Sequence, residues 1–149
     1  MKTKNTLILL VAVPFISFIS CTKDSMEAKD TTAPVMTMEE PMEGQIFYTG
    51  DEFHMEMDLT DNLELMKCEV TITADSVQMK STLHNDEPWA FTNTFPLSGA
   101  SGRIHEHVIV PDTIGHAPIA KGRYLYVAKC FDKAGNVSKE EVKVYIAIH

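Results

Sequence analysis

The sequence predicts an all-β domain, an antiparallel β-sandwich of seven to eight short strands. Three observations lead there. Apolar residues alternate with polar ones in several separate runs, and period two is the strand signature. Clusters of Gly, Pro, Asn and Asp stand between those runs as turn signals. No stretch beyond the N-terminal leader repeats at helical spacing.

The leader comes first. Lys2 and Lys4 precede an apolar run from Leu7 to Ile19, broken by Pro14. A run of thirteen residues is too short for a membrane-spanning helix, which needs roughly 20. The run fits the core of a signal peptide. It ends Phe18-Ile19-Ser20-Cys21, followed by polar Thr22-Lys23-Asp24. Residues 1–20 are therefore expected to be a cleaved lipoprotein signal. Residues 21–33 follow as an acylated Cys21 and a flexible tether, with Ser25 to Thr32 small, polar and aperiodic. Residues 34–149 form the domain. One domain suits this length, which suffices to bury a core without staples.

The strands follow in order. Pro34 to Met38 reads as an edge strand, since Pro34 donates nothing to a ladder. Phe53, Met55, Met57 and Leu59 alternate with His54, Glu56 and Asp58. Met66, Cys68, Val70 and Ile72 alternate with Lys67, Glu69, Thr71 and Thr73. Val77 to Leu83 suggests a short edge strand. Trp89 to Leu97 alternates again. Ile104 to Val110 makes a strand that Pro111 stops, and the loop Asp112 to Lys121 leads onward. The last hairpin is the centrepiece. Tyr124, Tyr126, Ala128 and Cys130 share one face, and Leu125, Val127, Lys129 and Phe131 the other. Asp132-Lys133-Ala134-Gly135-Asn136 supplies turn chemistry, with Gly135 and Asn136 suited to positive φ. Val142, Val144, Ile146 and Ile148 return on one face, with Lys143 and Tyr145 opposite.

A Gly-x-Tyr strand beginning at Gly122 and ending in Asp132-x-x-Gly135-Asn136 resembles the last hairpin of bacterial immunoglobulin-like domains. With the Ser20-Cys21 lipobox, the chain resembles a group of Bacteroidetes lipoproteins carrying one such domain, the domain of unknown function 4625 type. The likeness runs from about Pro34 to Ile148. It implies an immunoglobulin-like sandwich and lipid on the Cys21 sulfur, and is silent on activity. The lysine and acidic residues of the tether imply, by the same resemblance, surface export. Phe18 departs from the usual Leu of the lipobox.

Composition excludes some functions. The formal charge is −8 and becomes −10 without the two leader lysines. An acidic chain lacks the Lys/Arg surface that phosphate backbones require, so nucleic acid is not an expected partner. There is no Gly-x-Ser-x-Gly, His-Glu-x-x-His, phosphate-binding glycine loop or Cys-x-x-Cys. The expectation is a non-enzyme without a cofactor. It would be anchored in the bacterial envelope, on the outer membrane, by lipid, and bind another envelope protein or an extracellular ligand.

Four residue sets are candidates for chemistry. His105 and His107 lie two apart on one strand face, a spacing suited to Zn²⁺ or Cu²⁺ if His84, His116 or an acidic side chain adds ligands. The alternative is a pair of solvent-facing histidines. Cys68 and Cys130 are expected opposite each other on neighbouring strands, as a disulfide or as two buried thiols. Leu125, Val127, Phe131 and Tyr145 form an outward apolar stripe, either a partner surface or the seat of the 112–121 loop. Met36, Met38, Met55 and Met57 echo copper-binding thioether patterns, but Met55 and Met57 share a face with Phe53 and Leu59 and read as core. Asp61 and Asp132 each sit singly in a turn and read as turn caps rather than calcium ligands.

Overall fold

The computed structural model describes residues 29–75 and 86–148. The expected strand at Val77 to Leu83, the leader and Cys21 lie outside the described residues.

Two sheets face each other. The first has order β1-β3-β6, from β1 (Val35–Glu40), β3 (Glu52–Thr60) and β6 (Ser101–Ile109). The second has order β2-β10-β9-β4-β5, from β2 (Ile46–Tyr48), β4 (Leu65–Ala74), β5 (Ala90–Pro96), β9 (Gly122–Asp132) and β10 (Val137–Ala147). A small hairpin, β7 (Thr113–Ile114) with β8 (Ala117–Pro118), lies inside the expected 112–121 loop. No helix among the described residues is long and apolar enough to cross a membrane.

Alternation decides which side chains meet between the sheets. Phe53, Met55, Met57 and Leu59 of β3 are all fully buried, as are Val70 and Ile72 of β4 and Tyr126, Ala128 and Cys130 of β9. Val144 and Ile146 come in from β10. Phe53 sits at the centre. Its ring stacks on Phe47 at 4.1 Å and on Tyr126 at 6.0 Å, and meets Trp89 edge-on at 6.0 Å. Thioethers fill irregular space without polar cost, so Met55 and Met57 are core residues and face away from the sheet's outer surface.

The register departs from strict alternation in one strand. Pairing of β4 with β9 shifts between Leu65 and Lys67. The bulge turns Met66 outward, where it is exposed, and gives its inward place to Leu65. Met66 therefore does not share the Cys68 face. On one edge of the smaller sheet, β6 carries Glu106 half-buried on its inward side. An inward charge on an edge strand discourages pairing with another chain.

The last hairpin forms as its sequence suggests, with Val137 opposite Phe131. Gly135 takes φ of 93°, which a Cβ would strain, whereas Asn136 stays in the ordinary region. The strand β2, which turn-like Gly44 and Gly50 concealed, runs parallel to β10, pairing Ile46 with Tyr145.

The two ends of the sandwich are distinct. One end gathers residues 30–34, 61–64, 97–100 and 132–136, tied by Asp61 N–H to Ala100 O (2.9 Å), Leu65 N–H to Gly99 O (2.8 Å) and Lys133 N–H to Glu64 O (3.0 Å). The opposite end gathers residues 49–51 and the 110–121 loop, tied by Gly50 N–H to Val110 O (2.8 Å). That loop drives Ile119 into the core and pairs Ala120 N–H with Glu87 O (2.8 Å).

Candidate functional site

The outer face of the β1-β3-β6 sheet concentrates the chain's polar chemistry. Period two turns His54, Glu56 and Asp58 outward while their neighbours fill the core. Antiparallel pairing sets His54 opposite His107, Glu56 opposite His105 and Asp58 opposite Arg103. Residues directly opposite have Cβ atoms about 5 Å apart, so these side chains are in reach of one another.

Three imidazoles converge there. His54 stacks on His107 with ring centroids 4.4 Å apart and meets His105 edge-on at 4.7 Å. His54 Nε2 lies 3.3 Å from His105 Nδ1, and His107 Nε2 lies 3.2 Å from His105 Nε2. A ligating nitrogen from each lies within 4.8 Å of the others. Carboxylates back each ring: Glu40 Oε2 at 2.9 Å from His54 Nδ1, Glu52 Oε2 at 2.9 Å from His107 Nδ1, and Glu56 Oε1 at 3.3 Å from His105 Nδ1. The expected His105 and His107 are thus together, and the third histidine is His54. Its place depends on how β3 registers against β6, which no local pattern reveals. His116 lies on the β7–β8 loop, and His84 is outside the described residues.

Arg103 borders the cluster. Its guanidinium donates to Asp58 at 2.9 and 3.0 Å, to Glu39 at 3.1 Å and to Glu56. The Arg103 hydrogen bond, then that of His105, holds the Glu56 carboxyl below the usual range, and Glu56 in turn raises Arg103.

Cys68 and Cys130 stand directly opposite in the β4–β9 register, both buried and both free thiols. Burial, with the neighbouring Cys130 and Glu69, pushes the Cys68 thiol up to about 12. Burial, with Asp61 and Asp132, pushes Cys130 up to about 11. Thiolate is the reactive form. In the folded chain at pH 8, iodoacetamide should leave both residues unmodified, while urea-unfolded chain reacts at both. Equal labelling rates in the two states would contradict the burial.

Leu125, Val127 and Phe131 are half-buried on the outer face of the larger sheet, and Tyr145 is more exposed. Lys67 places its ammonium 4.8 Å over the Phe131 ring. Val127 lines an open groove with Glu69, Thr71, Lys129 and Lys139. The stripe is interrupted by charged neighbours rather than continuous.

Asp61 and Asp132 cap turns. Asp61 Oδ2 accepts from Leu63 N–H and Glu64 N–H at 2.8 Å each, and Asp132 Oδ1 from Asn136 N–H at 2.8 Å. They do not sit singly, however. Asp30 joins them, with carboxylate oxygens of all three within 4.8 Å, because strand pairing brings the 30, 61 and 132 segments to one end. Burial would raise Asp132, but the Asn136 side chain and the Asn136, Gly135 and Ala134 amides outweigh it and hold its pKa below the usual value. That depression adds stability above the unfolded carboxyl's pKa, and the contribution fades as pH falls through the folded one. Asn136 Nδ2 also contacts Asp30 O and Thr32 O, both at 3.2 Å. The last residues of the expected tether are therefore clasped to the domain.

Among solved structures, the fibronectin(III)-like modules of Clostridium thermocellum CbhA are similar at 15% identity and TM-score 0.40, covering 75% of this chain and 94% of that one. The SrpA adhesin of Streptococcus sanguinis is similar at 20% identity and TM-score 0.45, covering 80% and 60%. BslA, described as a bacterial hydrophobin, is similar at 17% identity and TM-score 0.36, covering 78% and 94%. No curated protein matches the chain. The family model of the domain of unknown function DUF4625 matches residues 19–147, and the chain belongs to that family.

Proposed function

We propose that the chain is a lipid-anchored lipoprotein of the bacterial envelope, on the outer membrane, whose immunoglobulin-like domain binds or assembles with another envelope protein or an extracellular ligand without catalysis. The observation that carries this reading is the clasp of Asn136 on Asp30 and Thr32. It ties the segment following Cys21 to one end of the sandwich. Residues 22–29 reach about 30 Å when extended. An anchor at Cys21 therefore holds the 132–136 end near the membrane and offers the opposite end, with residues 49–51 and 110–121, and both outer sheet faces for contact. The Ser20-Cys21 junction after the apolar leader supports the anchor, and the acidic charge argues against nucleic acid as the partner.

The test is metabolic labelling with a palmitate analogue in a bacterial host, followed by membrane fractionation. Wild-type chain should take the label and pellet with membranes. Cys21→Ser should lose both properties. Unlabelled wild-type chain, or label retained by Cys21→Ser, would remove the anchor. Affinity capture of the labelled chain from its own membranes then tests the binding role; the absence of any stoichiometric partner would count against it.

A further inference from the structure

We propose that His54, His105 and His107 form a binding site for one late divalent transition ion, Zn²⁺ or Cu²⁺, on the outer face of the β1-β3-β6 sheet. The inference goes beyond the anchored-module reading and does not depend on it.

The chemistry begins with protons. Glu40 and Glu52 each face a ring Nδ1 at 2.9 Å; a carboxylate only accepts, so His54 and His107 each keep a proton on Nδ1 and donate a hydrogen bond from it. The Nε2 of each ring then carries the lone pair. His105 Nδ1 lies 3.3 Å from both Glu56 Oε1 and His54 Nε2, two acceptors, so it too carries the proton. Its Nε2 is left as a lone pair, facing the Nε2 lone pair of His107 at 3.2 Å. Two acceptors facing each other at that distance repel unless something positive lies between them. Carboxylates that fix ring tautomers from behind are the common support of metal-bound histidine.

The dimensions suit an ion. Imidazole nitrogens bind zinc at about 2.0–2.1 Å, and tetrahedral placement sets two such nitrogens about 3.3–3.4 Å apart. The 3.2 Å contact between His105 Nε2 and His107 Nε2 matches that spacing with little movement, and one ring nitrogen from each of the three residues lies within 4.8 Å of the others. Imidazole is a ligand type that zinc and copper(II) favour. The methionines of β3 are buried in the core, so no thioether from that strand competes to select Cu(I).

The rings are also reachable. The His54, His105 and His107 side chains are 23%, 55% and 42% exposed. Three protein ligands leave a fourth position toward solvent, open to water or to a donor from another molecule. The three glutamates offset the ion's charge, while Arg103 on the Glu56 side confines the site to the His54–His107 end of the sheet.

Isothermal titration of ZnCl₂, and separately of CuCl₂, into chelator-stripped full-length chain in detergent, carrying no histidine tag, tests this. One ion per chain is expected. His54→Ala and His105→Ala should each weaken binding by about 100-fold or more, and Glu40→Gln by about tenfold through ring orientation. His116→Ala should bind as wild type. All four positions are at least partly solvent-exposed, and thermal melts of the apo variants should match wild type, separating ligand loss from unfolding. Co²⁺ in place of Zn²⁺ should give visible absorption of a tetrahedral nitrogen site, lost in His54→Ala. No stoichiometric binding of either ion, or wild-type affinity in His54→Ala, would overturn the proposal.

Discussion

Phe53→Ala should cost the domain about 3–5 kcal/mol, a large part of the about 5–15 kcal/mol that holds a domain of this size folded. The ring is fully buried and reaches across to aromatic groups of the facing sheet: Phe47 of β2 and Tyr126 of β9 on its faces, and Trp89, just before β5, at its edge. Alanine would lose the transfer energy of the ring and leave a void between sheets that cannot close without breaking register. Phe53→Leu, which refills part of the volume, should recover a good share of the loss. Urea titration followed by circular dichroism measures both. A Phe53→Ala loss below about 1 kcal/mol would mean that the sheets do not close on this residue.

Tyr124→Phe should be the most costly removal of a single oxygen, at about 2 kcal/mol. The Tyr124 hydroxyl donates to Ala120 O at 2.6 Å and accepts from Trp89 N–H at 3.2 Å. It joins the loop before β9 to the residue before β5, and its return bond to the backbone four residues upstream matches the tyrosine corner of immunoglobulin-like sandwiches. Phenylalanine leaves two backbone groups without this partner where water reaches poorly. Tyr126, two residues on, provides the contrast. Its hydroxyl is buried and makes no hydrogen bond among the described residues, and burial raises its pKa. Tyr126→Phe removes a polar group that gains nothing from its surroundings and should be neutral or stabilising. Chemical denaturation of the two variants side by side gives the comparison. Equal effects would contradict the different hydrogen bonding of the two hydroxyls.

The contrast shows what a linear sequence can and cannot disclose. Both tyrosines alternate inward, and periodicity reads them alike. Only the arrival of the 87–90 and 118–121 segments distinguishes their hydroxyls. The same holds for the candidate metal site. His105-x-His107 is visible locally, but His54 belongs with them because β3 lies antiparallel to β6 with His54 against His107. The acidic cluster follows suit, since Asp30 lies in a segment that composition marks as tether. Strands of nine and eleven residues with strict alternation, β3 and β9, were legible because every second side chain must be buried. Strand β2 was not: three residues carry one buried side chain, Phe47, between glycines that read as turns. Met66 was misplaced because a bulge resets the period without leaving a local mark.

The parallel pairing of β2 with β10 has a consequence in time. Ile46 meets Tyr145, and Gly44 N–H meets Lys143 O, about a hundred residues apart in sequence. Loop closure over such distances is paid before any contact rewards it, which places sandwiches of this kind among slower-folding domains. The β2 edge of the larger sheet cannot form until β10 is present to receive it. A chain leaving the ribosome is thus kept from finishing its fold early by the order of its own strands.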